Sequence, residues 1–297
     1  MTAAVTADAL AREFSDHRPR LMGIAYRLLG SAWDAEDVVA EAMARWLAVD
    51  RAEIREPVAF LTTVVTRLAL DQLRSARATR DSYVGEWLPE PVATGSGVAP
   101  LDTLERREDV SLATLRMLEA LTPPERAVLV LHEAFAMPHA EVAAVLDITE
   151  EGARQHLRRA RARLDAGGRP RFAPEPDEHG ALFERVLAAF EQGDIAGLEA
   201  VLAADVVAYS DGGGKARAAR YPIVGPEAVV RFFGALRRRL AITEVRRLEV
   251  NGRPGALLRF GDQEQVLTVA VAGGRVREID SVINPDKLRY IRSQLNG

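Results

Sequence analysis

The sequence has no cysteine among its 297 residues, which excludes a disulfide framework. Its five histidines are dispersed without the spacing of metal ligands, and no glycine-rich phosphate loop follows a predicted strand. We therefore expect no cofactor, neither a metal nor a nucleotide.

Long apolar runs are absent too. Nowhere do about eighteen apolar residues follow one another, and Met1 to Leu10 shows neither a basic start before an apolar run nor a cleavage signal. The sequence therefore predicts a cytoplasmic protein with no membrane as partner. With 48% hydrophobic and 28% charged residues the composition is that of a globular protein, and the length predicts two or three domains.

The formal net charge of −4 excludes a uniformly basic surface. Charge is sorted by segment instead: Asp34 to Glu41 is acidic, whereas Gly152 to Arg171 contains seven arginines and one aspartate. If the protein binds nucleic acid, we expect local basic patches to make the contacts.

Two breaks divide the chain. In the first 80 residues apolar side chains recur at spacings of three and four, which predicts helices, one starting near Asp34 and one after Pro57. Glycine, serine and three prolines in Asp81 to Pro100 predict a linker. A helical pattern returns from Leu101 to about Leu164, and Gly167 to Pro176 forms the second break.

Beyond Asp177 helices mix with β-like runs, which are joined by the turn pairs Asn251-Gly252 and Gly273-Gly274. Helices followed by hairpin-linked strands predict an α+β domain with an antiparallel sheet. The predicted strands are Val206 to Ser210, Glu244 to Val250, Ala256 to Phe260, Gln265 to Ala272 and Arg275 to Ile283.

The strongest local signal lies between His139 and Leu164. A short apolar helix is followed by a tight turn at Asp147 to Thr149, and a second helix begins at Glu150. At 100° per residue one stripe of that helix is apolar, which predicts a helix-turn-helix. The stripe contains Ala153, Leu157, Ala160 and Leu164.

In a helix-turn-helix the second helix enters the major groove of DNA. Arg154 and Gln155 have the donor geometry to read guanine and adenine edges. Four later arginines are better placed to hold phosphates: Arg158, Arg159, Arg161 and Arg163. The alternative is a structural helix with a solvated arginine face.

The segment LTPPERAVLVLHEAFAMPHAEVAAVLDITEEGARQHLRRARARL, Leu121 to Leu164, resembles region 4 of extracytoplasmic-function sigma factors. In that family region 4 binds the minus-35 promoter element, so the resemblance implies this role for Arg154, Gln155, Arg158, Arg159 and Arg161.

The segment DAEDVVAEAMARWL, Asp34 to Leu47, resembles the sigma region 2 helix that docks on the largest subunit of RNA polymerase. Asp34, Asp37 and Glu41 form one acidic face, and the resemblance implies that this face binds polymerase. Val38, Ala42 and Trp46 are predicted to pack inward. A merely soluble helix would show the same pattern.

The segment EPVAFLTTVVTRLALDQLRSARATRD resembles the part of region 2 that melts the promoter and captures an extruded minus-10 base. Its predicted buried stripe is Leu61, Val64, Val65 and Leu68. The resemblance implies minus-10 contacts from Arg67, Asp71, Arg74, Arg77 and Arg80, although an arginine-rich helix end is also compatible with simple solvation.

Residues from about 178 onward, including ALFERVLAAFEQGDIAGLEAVLAADVVAYSDGGGK, resemble the SnoaL-like family. The family fold is a cone of curved sheet wrapped by helices, often around a pocket. An enzyme here would have to use groups such as Tyr209, Asp211 or Asp280, and nothing in the sequence makes them converge. We therefore expect no catalysis.

Three short motifs, WLPEP, DGGGK and NPDKL, resemble the signature of group 41 of these sigma factors, the sigma J type. Two of them hold the only lysines of the chain. We hypothesise that a lysine contacts Glu90 of WLPEP, so that the C-terminal domain packs on the linker and no separate anti-sigma factor is required. The motif residues are Trp87, Leu88, Pro89, Glu90, Pro91, Asp211, Gly212, Gly213, Gly214, Lys215, Asn284, Pro285, Asp286, Lys287 and Leu288.

The predicted organisation is multidomain: sigma region 2 over residues 1–80, a linker with WLPEP over 81–110, region 4 over 111–170 and an α+β SnoaL-like cone over 178–297. The predicted function is that of an alternative sigma factor, with core RNA polymerase and promoter DNA as partners. Two alternatives stay open, a ligand-responsive helix-turn-helix regulator and a SnoaL-like enzyme fused to a DNA-binding module. An unknown small molecule in the C-terminal domain also stays open as a partner.

Overall fold

The computed structural model describes residues 7–50, 54–80, 82–95, 111–166, 176–239 and 241–296, without the side chains of 7, 76–80 and 176–177. The chain divides into two compact units. Of the described residues, 7–50, 54–79 and 117–166 belong to the first unit and the others to the second. Of the two predicted breaks, residues 81, 96–100 and 167–175 lie outside the described residues.

The first unit is helical. Its elements are α1 (Ala7–Leu29), α2 (Ala32–Ala48), α3 (Pro57–Arg80), the end of α4 (Leu112–Leu118), α5 (Pro123–Leu129), a π-helical turn (Val130–Ala134), α6 (His139–Leu146) and α7 (Glu150–Ala166). Among the described residues, no helix combines the length and the apolar character that a membrane crossing needs.

The predicted helix starts are confirmed. The Ser31 hydroxyl accepts a hydrogen bond from the Asp34 amide at 3.2 Å, so it caps α2. Pro57, which has no amide hydrogen to lose, is the first residue of α3. In α5 the Thr122 amide donates to the Glu125 carboxylate at 3.0 Å, as part of a capping box.

The buried stripe of α3 is broader than predicted. Leu61 and Val65 are buried, but Val64 and Leu68 are only half-buried, and the buried set also includes Thr62. Further buried residues of this helix are Thr66, Ala69, Leu70 and Leu73. Apolar spacing alone missed the threonines, because a β-branched methyl group can pack in a core despite its neighbouring hydroxyl.

The second unit is built on one mixed sheet. Its elements are β1 (Ala93–Thr94), α8 (Pro176–Glu191), α9 (Ile195–Val201), β2 (Leu202–Asp211), β3 (Ile223–Val224), α10 (Pro226–Arg239), β4 (Glu244–Val250), β5 (Arg253–Phe260), β6 (Gln263–Ala272), β7 (Arg275–Val282) and α11 (Leu288–Asn296). The strand order is β1-β4-β5-β6-β7-β2-β3.

The α+β class and the hairpin turns are confirmed. Asn251 and Gly252 have φ angles of 53° and 73°, and Gly273 and Gly274 have 60° and 67°, as tight hairpin turns require. The prediction of an antiparallel sheet was wrong at one position, because β2 pairs with β7 in parallel. Turn residues predict the pairing of strands that follow one another in the sequence. β2 and β7 are joined instead by a long connection, so no turn signal predicts their parallel pairing.

The two faces of this sheet carry different partners. Ala208 and Leu267 pack in a core with α8, α9 and α10, whereas their strand neighbours Tyr209 and Val266 pack with Leu88 and other residues on the opposite side. Successive strand side chains alternate between faces, so the strands themselves produce this division. We call these sides the helix face and the linker face.

Candidate functional site

The predicted helix-turn-helix is confirmed as α6, a turn at residues 147–149 and α7. Asp147 adopts a left-handed conformation with a φ of 55°, which ends α6 abruptly. The Thr149 hydroxyl accepts from the Gly152 amide at 3.0 Å and so caps the start of α7. Ala153, Leu157 and Ala160 are buried as predicted.

The outward side of α7 carries the predicted DNA-contacting residues. Arg154, Gln155 and Arg158 are exposed. Arg154 forms an ion pair with Glu150 one turn earlier. Within the described ranges, neither Gln155 nor Arg158 has a hydrogen-bond or ion-pair partner. These two side chains are therefore free for an external ligand.

Three later arginines of α7 have structural partners. Arg159 and Arg163 lie 3.9 Å and 3.4 Å from the Glu125 carboxylate, and Arg161 pairs with Glu133. Although burial opposes ionisation of Glu125, hydrogen bonds from Thr122 and the charges of these arginines lower its pKa. The Arg159 and Arg161 side chains thus hold α7 against α5 and the π-helical turn, a role that the sequence analysis missed.

The acidic face predicted on α2 points to solvent. Asp37 and Glu41 are exposed and Asp34 is half-buried, while Val38, Ala42 and Trp46 are buried as predicted. The orientation is determined partly by Trp46, whose indole nitrogen donates to the Leu10 carbonyl at 3.0 Å. Glu41 is paired with Arg45 at 2.9 Å. The carboxylates of Asp34 and Asp37 have no cationic partner in the described part of the chain.

The candidate minus-10 residues on α3 differ from one another in their contacts. Arg67 donates from Nε to the Val145 carbonyl of α6 at 3.2 Å. Asp71 and Arg74 pair with each other at 2.7 Å on the surface. The side chains of Arg77 and Arg80 lie outside the described residues.

The segments predicted to be sigma regions 2 and 4 are packed together in the first unit. The Arg126 guanidinium donates to the Leu28 carbonyl at 2.7 Å and pairs with Glu119 at 2.7 Å. The guanidinium groups of Arg20 and Arg27 each lie 5.2 Å from the centre of the Phe135 ring. The contact between these two segments therefore includes a hydrogen bond and two cation–π contacts.

In the second unit the WLPEP segment lies against the linker face. Residues 88–94 are buried throughout. Pro89 and Pro91 have no amide hydrogen, and the amides of Leu88, Val92 and Ala93 donate to the side chains of Asp211, Asn251 and Gln294 at 2.8, 3.0 and 2.9 Å. Burial of an extended segment is tolerated because these donors have partners.

Lys287 contacts the WLPEP segment. Its ammonium donates to Asp211 Oδ2 at 2.6 Å and to the Leu88 carbonyl, and it lies 4.1 Å from the centre of the Trp87 ring. Lys215 does not meet it: among the described residues its partner is Asp286, on the surface. Lys215 is therefore not the lysine that makes the predicted contact with Glu90.

Asp211 is the acceptor at the centre of this cluster. Besides the Lys287 and Leu88 bonds it accepts from the Tyr83 hydroxyl at 2.6 Å, and that hydroxyl in turn accepts from Asn284 Nδ2 at 2.8 Å. Burial and the nearby Asp211 charge strongly raise the pKa of Tyr83, so the phenol stays a donor. We call Tyr83, Leu88, Asp211, Asn284 and Lys287 the Lys287 clasp.

Steric constraints explain the glycines of the DGGGK motif. Gly213 has a φ of 57°, and a Cβ atom there would lie 2.2 Å from Asn284 Nδ2 and 2.8 Å from the Tyr83 hydroxyl. At Gly212 a Cβ atom would lie 2.4 Å from the Ala216 carbonyl oxygen. Side chains at these positions would displace the clasp or the loop that follows it.

A second buried charge cluster on the linker face involves Arg116, which the sequence analysis missed. Its guanidinium pairs with Glu278, lies 4.0 Å from Asp280 and stacks 3.7 Å from the centre of the Tyr209 ring. Burial disfavours its charge, but Asp280 and Glu278 outweigh this and raise the pKa of Arg116. No sequence signal identified Arg116, because its partners lie on strands much later in the chain. Glu278, for example, follows Arg116 by 162 positions.

The residues considered for catalysis do not form an active site. Tyr209, Asp211 and Asp280 all lie on the linker face, in the Arg116 cluster or the clasp. A cavity of about 290 Å³ lies on the helix face instead, where Ser210 and Ser281 contribute to its wall. Residues that are adjacent in sequence are thus separated by the sheet.

The comparisons with known proteins agree with this arrangement. The family model for sigma-70 region 2 matches residues 14–79, and the model for sigma-70, region 4 matches residues 111–164. The ECF RNA polymerase sigma factor SigJ of Mycobacterium tuberculosis is 39% identical over 305 residues, which covers 96% of each chain. Its crystal structure aligns with a TM-score of 0.79 and 37% identity over 94% of this chain and 98% of SigJ. A second protein of that species, named "Probable ECF RNA polymerase sigma factor SigI", is 30% identical over 98% of each chain.

Both family models describe parts of a sigma subunit, which defines the class of the protein. More narrowly, the chain belongs to the extracytoplasmic-function RNA polymerase sigma factors. The predicted family, fold class and function are therefore confirmed, and the two alternative functions are not favoured. Core RNA polymerase and promoter DNA are the partners that sigma regions 2 and 4 imply, and members of this family are not enzymes.

Proposed function

We propose that α7 reads the minus-35 element through Arg154, Gln155 and Arg158. The absence of any described partner for Gln155 and Arg158 supports this, because such a side chain breaks no bond within the described part of the protein when it turns to DNA. Arg159 and Arg161 remain candidates for phosphate contacts from the edge of the helix, since their pairs with Glu125 and Glu133 leave each side chain about half exposed.

For polymerase binding we propose the acidic face of α2, with Asp34 and Asp37, which have no cationic partner among the described residues, and with Glu41 at its edge. For the minus-10 element we propose Arg67, Asp71 and Arg74. Arg77 and Arg80 join this set on the sequence resemblance alone.

The Arg67 bond to the Val145 carbonyl supports a closed state of the free protein. A guanidinium that donates to region 4 cannot use the same N–H on a minus-10 phosphate. We propose that regions 2 and 4 separate when polymerase binds, and that the cost is offset by contacts of both regions with core enzyme and promoter.

We propose further that the C-terminal domain restrains this opening through the Lys287 clasp and so makes a separate anti-sigma factor unnecessary. The observation that carries the proposal is Lys287, whose buried ammonium joins the sheet to the Leu88 carbonyl of the linker. Residues 82–95 follow region 2 directly, so their release gives the linker additional reach. WLPEP, DGGGK and NPDKL all contribute to this contact or to the loop beside it.

Run-off transcription with purified core polymerase tests the proposal. Full-length wild type, Lys287→Met and Lys215→Met are compared on a promoter that the wild-type holoenzyme selects from random DNA. We expect Lys287→Met to raise transcript yield severalfold and Lys215→Met, which alters a surface pair, to leave it unchanged. Equal or lower yield from Lys287→Met, with a native circular dichroism spectrum, would contradict a restraining clasp.

A further inference from the structure

A cavity of about 290 Å³ lies on the helix face of the C-terminal sheet, beneath α10. This volume is at the lower end of small-molecule sites, which run from roughly 300 to 1,000 Å³. Aromatic and aliphatic side chains dominate its wall, among them Phe232, Phe233, Leu236, Phe260 and Ile283. The cavity therefore suits one small ligand with an apolar body.

Three polar side chains on adjacent strands face the same space. Ser210 on β2, Ser281 on β7 and Gln265 on β6 are 5%, 5% and 4% exposed. Within the described residues, Gln265 Nε2 is buried and donates no hydrogen bond. An unsatisfied buried donor is unfavourable, so a ligand oxygen at this position would supply the missing acceptor.

The charge at the mouth of the cavity is positive. Arg217 and Arg239 belong to the lining, are exposed, and have no ion-pair partner in the part of the chain that the structure describes. The lining has one acidic residue, Glu264, whose carboxylate is already bound by Arg259 and Arg292. An anionic group on the ligand would therefore find two available guanidinium groups and little repulsion.

The wall of this cavity is also the support of the Lys287 clasp. Ser210 lines the cavity, and the next residue, Asp211, accepts the Lys287 ammonium on the other face. The loop after Asp211 contributes Ala218 and Ala219 to the cavity, and on its other side it borders Val84 of the linker segment. Opening of this loop would disturb the cavity and the clasp together.

We infer that the C-terminal domain binds a small amphipathic carboxylate in this cavity, and that the bound ligand stabilises the clasp through the loop 212–220. The apolar body lies among the phenylalanines, an oxygen accepts from Gln265, and the carboxylate meets Arg217 and Arg239. The effect on transcription rests on the proposed restraint by the clasp, but binding and clasp stability can be measured without polymerase.

The first test measures binding to the full-length protein by isothermal titration calorimetry with three matched probes. These are 4-phenylbutyrate, its neutral amide and the cation 4-phenylbutylamine. We expect saturable binding of the carboxylate, at least about tenfold tighter than that of the amine, because the two guanidinium groups attract a carboxylate and repel an ammonium. Gln265→Leu and Arg239→Ala should each weaken it, while Arg238→Ala, a neighbouring exposed arginine outside the lining, should not. No saturable carboxylate binding, or equal binding of the amine, would overturn the site.

The second test measures amide hydrogen exchange at Leu88, whose N–H donates to Asp211. If clasp opening and ligand binding are mutually exclusive, exchange slows by a factor of one plus the ratio of free probe to Kd, about elevenfold at ten times Kd. The Trp46 indole N–H, in the first unit, serves as the internal control and should not change. Unaltered Leu88 exchange at saturating probe would refute the coupling and leave the proposed promoter recognition standing.

Discussion

Lys287 and Asp211 form a buried ion pair, with Nζ 2.6 Å from Oδ2 and side-chain exposures of 8% and 0%. Arginine occupies every basic position of the chain except 215 and 287. A compact ammonium can donate at once to Asp211 and to the Leu88 carbonyl while it faces the Trp87 ring. A planar guanidinium is larger and has a fixed fork, which accounts for lysine at this position.

Loss of the Lys287 charge should destabilise the second unit. Lys287→Met leaves the Asp211 carboxylate buried without its cation, and such a change costs about 3–5 kcal/mol of unfolding free energy. Lys215→Met alters an exposed pair and should cost less than about 1 kcal/mol. Urea unfolding of both variants checks the difference; equal losses would show that the buried ion pair is not the stabilising feature.

The two free side chains of α7 should have different effects on promoter binding. Gln155→Ala should cost about 1–3 kcal/mol on the preferred minus-35 sequence and relax base preference at one position, because an amide reads a base edge. Arg158→Ala should weaken binding on all sequences and reduce the salt dependence by about one phosphate contact. Holoenzyme binding to a set of promoter variants at several salt concentrations distinguishes these effects.

Arg159→Ala is the contrasting variant on the same helix. Since Arg159 faces the buried Glu125 carboxylate, we expect a lower melting temperature as well as weaker DNA binding. If Arg158→Ala and Arg159→Ala lowered the melting temperature equally, the structural role of Arg159 would be rejected.

The acidic face of α2 predicts a salt-sensitive loss of core binding. Asp37→Asn removes an exposed charge that has no cationic partner in the described ranges, and it should weaken the complex severalfold at low salt, with a smaller effect at high salt. Glu41→Gln removes a charge that Arg45 already neutralises and should have a weaker effect. Fluorescence anisotropy of labelled sigma factor titrated with core enzyme measures both; an unchanged affinity of Asp37→Asn would exclude this face.

His179 should make the second unit sensitive to mild acid. Burial, with the Arg253 charge, lowers the pKa of His179 to about 4, against 6.5 in an unfolded chain. The unfolded state therefore binds more protons between pH 6.5 and 4, so stability falls as the pH drops through this window, by about 1.4 kcal/mol per unit. Urea unfolding from pH 7 to pH 5 should show a loss of about 2 kcal/mol.

His179→Gln should remove most of this pH dependence, whereas His17→Gln, which leaves His179 in place, should retain it. A pH dependence that survives in His179→Gln would assign it to other groups.

Much of the architecture could be predicted from short segments of sequence. Ser31 and Pro57 mark helix starts, Asp147 to Thr149 marks the turn between α6 and α7, and Asn251-Gly252 marks a hairpin. These signals act between residues a few positions apart, where backbone geometry and capping are decided locally. The strands β4 to β7 and the recognition helix followed from such signals.

Some functional residues could likewise be placed from local sequence, and others only from contacts between distant segments. The sequence by itself determined that Gln155 and Arg158 lie on the outer side of α7, because helical periodicity alone places them opposite the buried stripe. Only the tertiary structure decided that Lys287 and not Lys215 reaches the linker, that Arg116 is held by Glu278, and that β2 runs parallel to β7. These contacts join residues 199 and 162 positions apart in the first two cases, and no local propensity selects one distant partner over another. The side of the sheet on which each side chain lies, and hence whether it meets the cavity or the linker, is settled only when the strands are paired.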